Sequence, residues 1–387
     1  MTGRITRREF LALAGAAALA AGPVLAGCSA GAGGSDKGSA RSGSASSAGM
    51  DAPLEDRALM GSTDPCAVRV GLIMGPPSMG LSQFMLAARN DRTENAFDFT
   101  VNGVDYIGLS AALNEGDYDI ATLPSNIGPI LYNNHELKNR YQVISVNNLG
   151  VLYVMTTDAG VSSLADLAGR RVYSYGEGGT PEYTIEALLA KMGLLDSFTV
   201  EFKSTPFEVL NLMQQEPNCV AILPQPFVAL SKLMVDLLYV PVNITSEWDR
   251  AFADTGSQAV TTVTIANRTF IEEHEQAVVE YLRMAGNSVS WSLENMADAA
   301  ALQEELGTFM NNSVALNAMP SISMTCLTGV EMRTALAGFY EELFKANPAS
   351  IGGAVPDGGY YYLPPAGLIE DDAVGKAQAA AATGAQS

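Results

Sequence analysis

Three short segments bring hydroxyl and amide side chains next to glycine: Ser78-Met79-Gly80, Ser125-Asn126 and Gly178-Gly179-Thr180. Ser78, Ser125 and Thr180 supply hydroxyls, and Asn126 supplies both a donor and an acceptor. Gly80, Gly178 and Gly179 leave their backbone amides open to close approach. Groups of this kind hold a carboxylate, a sulfonate or the polar edge of a heterocycle. Gln225, set between Pro224 and Pro226, is a further candidate, and Phe84, Tyr106, Tyr132 and Tyr183 are candidate apolar or stacking walls. For each of these a plainer reading stays open: the polar residues cap helices, Gln225 sits in a rigid turn, and the rings fill a core.

Enzyme chemistry finds little to work with. The chain has two histidines, His135 within Asn133-Asn134-His135-Glu136 and His274 within Glu272-Glu273-His274-Glu275, and both runs read as solvated surface. Gly75-Pro76-Pro77-Ser78-Met79-Gly80 looks like a nucleophile elbow only superficially. Its first glycine stands three residues before the serine, where an elbow needs two. The adjacent acids Glu272-Glu273 and Glu304-Glu305 diverge on helices instead of pairing as an acid and a base. Cys66, Cys219 and Cys326 are widely spaced without a CxxC element, so they read as buried thiols and not as zinc ligands.

The elements that must position these segments follow an α/β rhythm. Residues 68–74 form an apolar, β-branched run before Gly75-Pro76-Pro77, which reads as a strand and a loop, and residues 81–90 repeat apolar positions at helical spacing. A short helix at 108–114, a strand at 118–123 and a helix from 125 to about 133 come next, with Ser125 placed to act as N-cap. Residues 143–146 and 150–156 read as two further strands. A second lobe is expected from residue 157, with a strand at 170–175, a helix from 182 to 192 entered through Thr180-Pro181, a helix at 207–215 and a strand at 220–223. Residues 259–266 return the chain to the first lobe, and amphipathic helices are expected at 276–293 and 329–344. Lobe one is thus assembled from 66–156 and 257–370, lobe two from 157–256, with a disordered tail at 371–387. Two crossings make a hinge, and a hinge permits closure over a ligand.

The N-terminus reads as an export signal spanning residues 1–27: Arg4, Arg7 and Arg8 precede an uncharged Ala/Leu/Gly stretch. Thr6-Arg7-Arg8-Glu9-Phe10-Leu11 resembles a twin-arginine motif, with ordinary Sec export the open alternative. Leu25-Ala26-Gly27-Cys28 resembles a bacterial lipobox, in which Cys28 carries the lipid as a thioether. The alternative is an ordinary cysteine after a signal sequence. Residues 28–65 are expected to be a flexible tether, for Ser29 to Ser47 is almost wholly Gly, Ser and Ala. Across all 387 residues, 48% are hydrophobic and 17% charged, as in a folded protein, and the formal charge of −20 argues against nucleic acid as a partner.

Several segments together carry a family resemblance: Asp119-Ile120-Ala121-Thr122-Leu123-Pro124-Ser125-Asn126, Leu164-Ala165-Asp166-Leu167-Ala168-Gly169-Arg170-Arg171-Val172, Gly178-Gly179-Thr180-Pro181-Glu182-Tyr183 and Val220-Ala221-Ile222-Leu223-Pro224-Gln225-Pro226. With Asn347-Pro348, Ile351-Gly352-Gly353 and Tyr360-Tyr361-Tyr362, they resemble the solute-binding proteins of the nitrate, sulfonate, taurine and thiamine-precursor branch of ABC importers. The resemblance implies an α/β, type II periplasmic-binding-protein fold of two α/β lobes joined by a two-crossing hinge. It also implies a small-molecule solute in the cleft and an ABC permease with its ATPase as partners. A monomer on the extracytoplasmic face of the bacterial membrane, lipid-anchored at Cys28 and without a cofactor, is expected. A surface-anchored enzyme acting on a small heterocycle and a sensory or adhesion module are the other classes considered. The pyrimidine-making relatives of this branch depend on a histidine and a cysteine-rich stretch, and neither is apparent in this chain.

Overall fold

The computed structural model describes residues 57–137, 139–309 and 311–369. The expected signal peptide, Cys28, the tether up to residue 56 and the tail at 371–387 lie outside the described residues. Eleven strands follow in chain order. The first four are β1 (Ala67–Leu72), β2 (Ala96–Val101), β3 (Ile120–Pro124) and β4 (Tyr141–Leu149). Next come β5 (Leu152–Thr156), β6 (Arg171–Tyr175), β7 (Thr199–Lys203), β8 (Val220–Pro224) and β9 (Tyr239–Asn243). The last two are β10 (Val260–Asn267) and β11 (Met324–Leu327). They form one sheet in the order β11-β4-β10-β3-β1-β2 and a second in the order β7-β6-β8-β5-β9.

Both sheets follow one plan. β2, β1 and β3 run parallel in the first, as do β7, β6 and β8 in the second. Next to each parallel set lies one antiparallel strand, β10 or β5, followed by β4 or β9. In each sheet the antiparallel strand is the one that has just arrived from the other, so the chain crosses twice. The central strands β3 and β8 are buried along their whole length, which is why IATLP and VAILP read as continuous apolar runs.

Residues 152–156, expected in lobe one, pair with β8 and β9 as a strand of the second sheet. The first crossing is therefore Gly150-Val151, not a point after residue 156. Gly150 makes so short a crossing possible, because a methyl group there would overlap the Thr245 hydroxyl.

The two sheets share one apolar core that holds Val172, Leu188 and Trp248 together with Val263, Leu336 and Phe339. Trp248 is fully buried, with its ring 4.2 Å from Phe252 and 5.2 Å from Phe339. The helix Gly329–Ala346, contributed by the returning piece of chain, thus packs on the second lobe near the crossings.

The tether expected to run to residue 65 ends sooner. Arg57 grips the buried Glu275 carboxylate with two bonds of 2.7 and 2.5 Å, and the Met60 amide and Tyr362 hydroxyl donate to the same group. Ser62 donates its amide to Glu273 O at 2.8 Å. These bonds fasten residues 57–62 to the start of the helix Glu275–Glu294.

The Gly150→Ala variant is expected to lose about 1–3 kcal/mol from overpacking against Thr245. Thermal unfolding, read as a melting temperature several degrees lower, checks it.

Candidate functional site

Four turns stand at the carboxyl ends of parallel strands. β1 leads through Gly75 into the helix Pro76–Met79, β3 through Ser125-Asn126 into Ile127–Asn133, β6 through 176–179 into Thr180–Met192, and β8 through Gln225 and a cis Pro226 into Phe227–Met234. Open α/β sheets bind ligands at such carboxyl ends.

Two of the turns, one from each lobe, meet directly. Thr180 Oγ1 donates to Asn126 Oδ1 at 3.0 Å and accepts from the Asn126 amide at 3.3 Å. Asn126 Nδ2 donates to Gly178 O at 3.1 Å and to Ser350 O at 3.3 Å. Ser125 Oγ donates to Val260 O at 2.6 Å and lies 3.1 Å from Thr180 Oγ1. Ser125 and Asn126 are fully buried and Thr180 is 2% exposed, so this is a dry, polar contact between the lobes. Two further bonds cross beside it. Tyr106 OH donates to Glu177 O at 2.7 Å, and Asn347 Nδ2 donates to Glu186 Oε2 at 3.1 Å.

The structure therefore brings together Ser125, Asn126, Gly178, Gly179 and Thr180, with Tyr183 half-buried on the same helix. It uses some of them differently from the sequence expectation. Ser125 is not an N-cap; the helix starts after Asn126, and the serine hydroxyl turns to β10. The glycine amides are not open, because Gly178 N–H donates to Glu182 Oε2 at 2.6 Å and Gly179 N–H to Gly176 O at 2.9 Å.

Ser78, Met79 and Gly80 form a separate, buried grouping. Ser78 Oγ bonds to Gly75 O at 3.1 Å, Met79 O accepts from Gln303 at 3.1 Å, and Gly80 O accepts from Ser288 Oγ at 2.7 Å. That turn is bolted to the returning piece of chain, and Met79 sits in an apolar cluster with Phe309 and Met319. Gln225, 5% exposed, accepts from the Ala229 amide at 3.1 Å and so braces the start of its helix.

Among the proposed walls, Phe84 belongs to the core of the first lobe, in edge contact with Phe97 and Phe99, and Tyr132 donates to Asp357 at 2.6 Å. Tyr106 and Tyr183 stand at the junction of the lobes. His135 is exposed, whereas His274, read as surface, is half-buried with its ring 5.3 Å from Phe270.

Electrostatically the junction is acidic. Burial raises the Glu182 carboxyl above the ordinary range, the Gly178 amide opposes that, and Glu177 and Glu186 add to the rise. Burial likewise raises Tyr106, with smaller contributions from Tyr175, Glu182, Tyr183 and Glu177, and pushes Tyr175 up to about 12. Cys219 and Cys326 are free thiols that burial pushes up to about 12, so they stay protonated and unreactive at neutral pH. A surface concavity of about 520 Å³, lined among others by Met213, Glu216, Pro217, Met234 and Asp236, lies at the opposite end of the second sheet from the converging turns.

Sequence reasoning missed the bonds from Tyr106, Asn347 and Ser350. Asn347-Pro348 lay within a segment that carried the family resemblance, and only its partner was invisible.

Asn126→Ala deletes three side-chain bonds at once. The expected result is a loss of about 1–3 kcal/mol, read as a lower denaturant midpoint, and a larger radius of gyration for the unliganded protein in X-ray scattering.

The family model described as NMT1/THI5 like matches residues 134–299. No curated protein matches. Among solved structures, an ABC transporter protein from Parabacteroides distasonis superposes with a TM-score of 0.62 at 19% identity, covering 76% of this chain and 98% of the other. The periplasmic aliphatic sulphonate binding protein SsuA from Escherichia coli gives 0.61 at 15% identity, covering 78% and 93%. The alkanesulfonate-binding SsuA from Xanthomonas axonopodis pv. citri, bound to MOPS, gives 0.57 at 13% identity, covering 76% and 96%. Residues 134–299 thus match the NMT1/THI5-like model within a chain that has the two-lobed α/β fold of type II periplasmic binding proteins, in line with the branch of solute-binding proteins its motifs resemble.

Proposed function

We propose that the protein is an extracytoplasmic solute-binding lipoprotein that captures a small molecule by hinge closure and presents the closed form to an ABC permease and its ATPase. One observation carries this reading: the turn after β3 and the turn after β6 meet across the junction of two lobes joined by two crossings. Opening the hinge frees the Asn126 side-chain and backbone amides and the Thr180 hydroxyl from one another, with Ser125 beside them still bonded to β10, and a solute entering the gap replaces the bonds that crossed. Each such bond contributes about 0.5–1.5 kcal/mol net, so a solute needs only a few good contacts to compete. The structural neighbours, an ABC transporter protein and two sulphonate-binding proteins, support the same class. No covalent step is assigned to the site.

Anchoring follows from the lipobox. A diacylglyceryl thioether on Cys28 places two acyl chains in the membrane, enough for stable attachment. The Gly/Ser/Ala-rich composition of residues 29–47 is that of a tether that would let the folded body reach a permease in the same membrane.

Two measurements test this. Native mass spectrometry of the protein as purified, and again after unfolding and refolding, is expected to show a small molecule that is lost and can be added back unchanged. The double variant Ser125→Ala, Thr180→Ala is expected to bind that molecule at least tenfold more weakly; unaltered affinity, or conversion of the compound to a product, would count against the reading. Separately, Cys28→Ser is expected to move the protein from the membrane fraction to the aqueous one.

A further inference from the structure

We infer that the solute of this cleft is an organic cation and not an oxyanion, an inference that rests on the solute-binding reading above. The start of the helix Thr180–Met192 is where an anion would be held, by the amides of Gly178 and Gly179. The chain fills that place itself. The Glu182 carboxylate accepts the Gly178 amide at 2.6 Å, and the Gly176 carbonyl accepts the Gly179 amide at 2.9 Å. Both bonds lie within one lobe, so opening the hinge leaves them intact. An arriving sulfonate or nitrate meets a carboxylate there instead of free donors.

What the junction offers is the opposite chemistry. Glu182 and Glu186 stand four residues apart on one face of the helix, and Glu177 precedes them in the loop. Ionised carboxylates carry negative charge and no donor, so the group they recognise is positively charged, with or without an N–H to donate. Aromatic rings stand beside them. Tyr106 spans the junction through its 2.7 Å bond to Glu177 O, and Tyr183 lies between the two glutamates in sequence. Aromatic faces together with negative charge hold ammonium or guanidinium groups, through the ring quadrupole and through Coulomb attraction. The neutral donors released on opening, the Thr180 hydroxyl and the Asn126 amide, remain for a polar substituent. The sulphonate-binding neighbours share the fold, and a fold does not set the charge of its ligand.

The test is calorimetric titration of the full-length protein in detergent, after unfolding and refolding, with benzyltrimethylammonium, butanesulfonate and nitrate. Native mass spectrometry of the protein as purified runs in parallel. Binding of benzyltrimethylammonium alone, or a co-purified compound bearing a cationic group, supports the inference. Glu182→Gln keeps an acceptor for the Gly178 amide while removing the charge, and is expected to weaken benzyltrimethylammonium binding at least fivefold. Tyr183→Leu, expected to weaken it similarly, serves if the first variant does not fold. Binding of butanesulfonate or nitrate, or a co-purified anion or neutral compound, overturns the cation and leaves the solute-binding reading standing. Unchanged benzyltrimethylammonium affinity in the variants also overturns it. Silence towards all three probes, with no co-purified molecule, overturns both.

Discussion

A fully buried primary amide governs how the two lobes meet. Asn126 has two donors and two acceptor sites, and in the closed arrangement Gly178 O, Ser350 O and the Thr180 hydroxyl satisfy three of them. Left dry and unpaired, such a group costs about 1–3 kcal/mol, so a half-parted contact without water is unfavourable. The junction is either shut, with Asn126 bonded to the other lobe, or open enough for water or a solute to take over. The other bonds crossing nearby, from Tyr106 and Asn347, share the same choice. One side chain thus turns a flexible connection into one with two favoured arrangements.

The topology explains why the parting line falls where it does. β5 and β10 are each inserted, antiparallel, into the sheet opposite the one the chain has just left. Inserting the arriving strand next to the last parallel strand puts both crossings side by side, at Gly150-Val151 and just before β10. The core around Trp248 and Phe339 lies across the lobes near these crossings, and a second apolar cluster joins Met79 and Met319 of the first lobe to Ala229 of the second, while Asn126 and Thr180 add polar bonds between them.

How much of this was legible in the sequence differs by position in the sheet. The interior strands β3 and β8 read directly because strands covered on both faces are apolar throughout, and β1 and β10 read as strands from their β-branched residues. β2, β7, β9 and β11 did not, and all four are sheet edges. AFDFTV and TVEFK carry charge and alternate, since an edge strand faces water and needs no continuous apolar run. The turns that could hold a ligand were legible as turns, because Gly, Pro, Ser and Asn announce a change of direction. Their partners were not: Asn126 and Thr180 lie 54 residues apart, and nothing local in either segment names the other. The surroundings of the Ser78-Met79-Gly80 turn were not legible for the same reason, as the residues that bond it, Ser288 and Gln303, come from the returning piece of chain.

The choice between cap and ligand contact, left open for each polar residue in the sequence, is compatible with both roles for Thr180 under the proposed function and is narrower for the glycines. The Thr180 hydroxyl is bonded to the other lobe, so under the proposed function parting of the lobes would release it to a solute. The Gly178 amide has no such freedom, since its partner Glu182 is four residues away in the same helix turn. What separates the two cases is whether the bond crosses the hinge. Polar groups paired within a lobe shape the electrostatic surroundings of the cleft, and those paired between lobes make up its exchangeable contacts. Under the proposed function, the acids of the helix start are the groups that would set the charge of the site, while Asn126 and Thr180 carry the bonds that a solute would have to match.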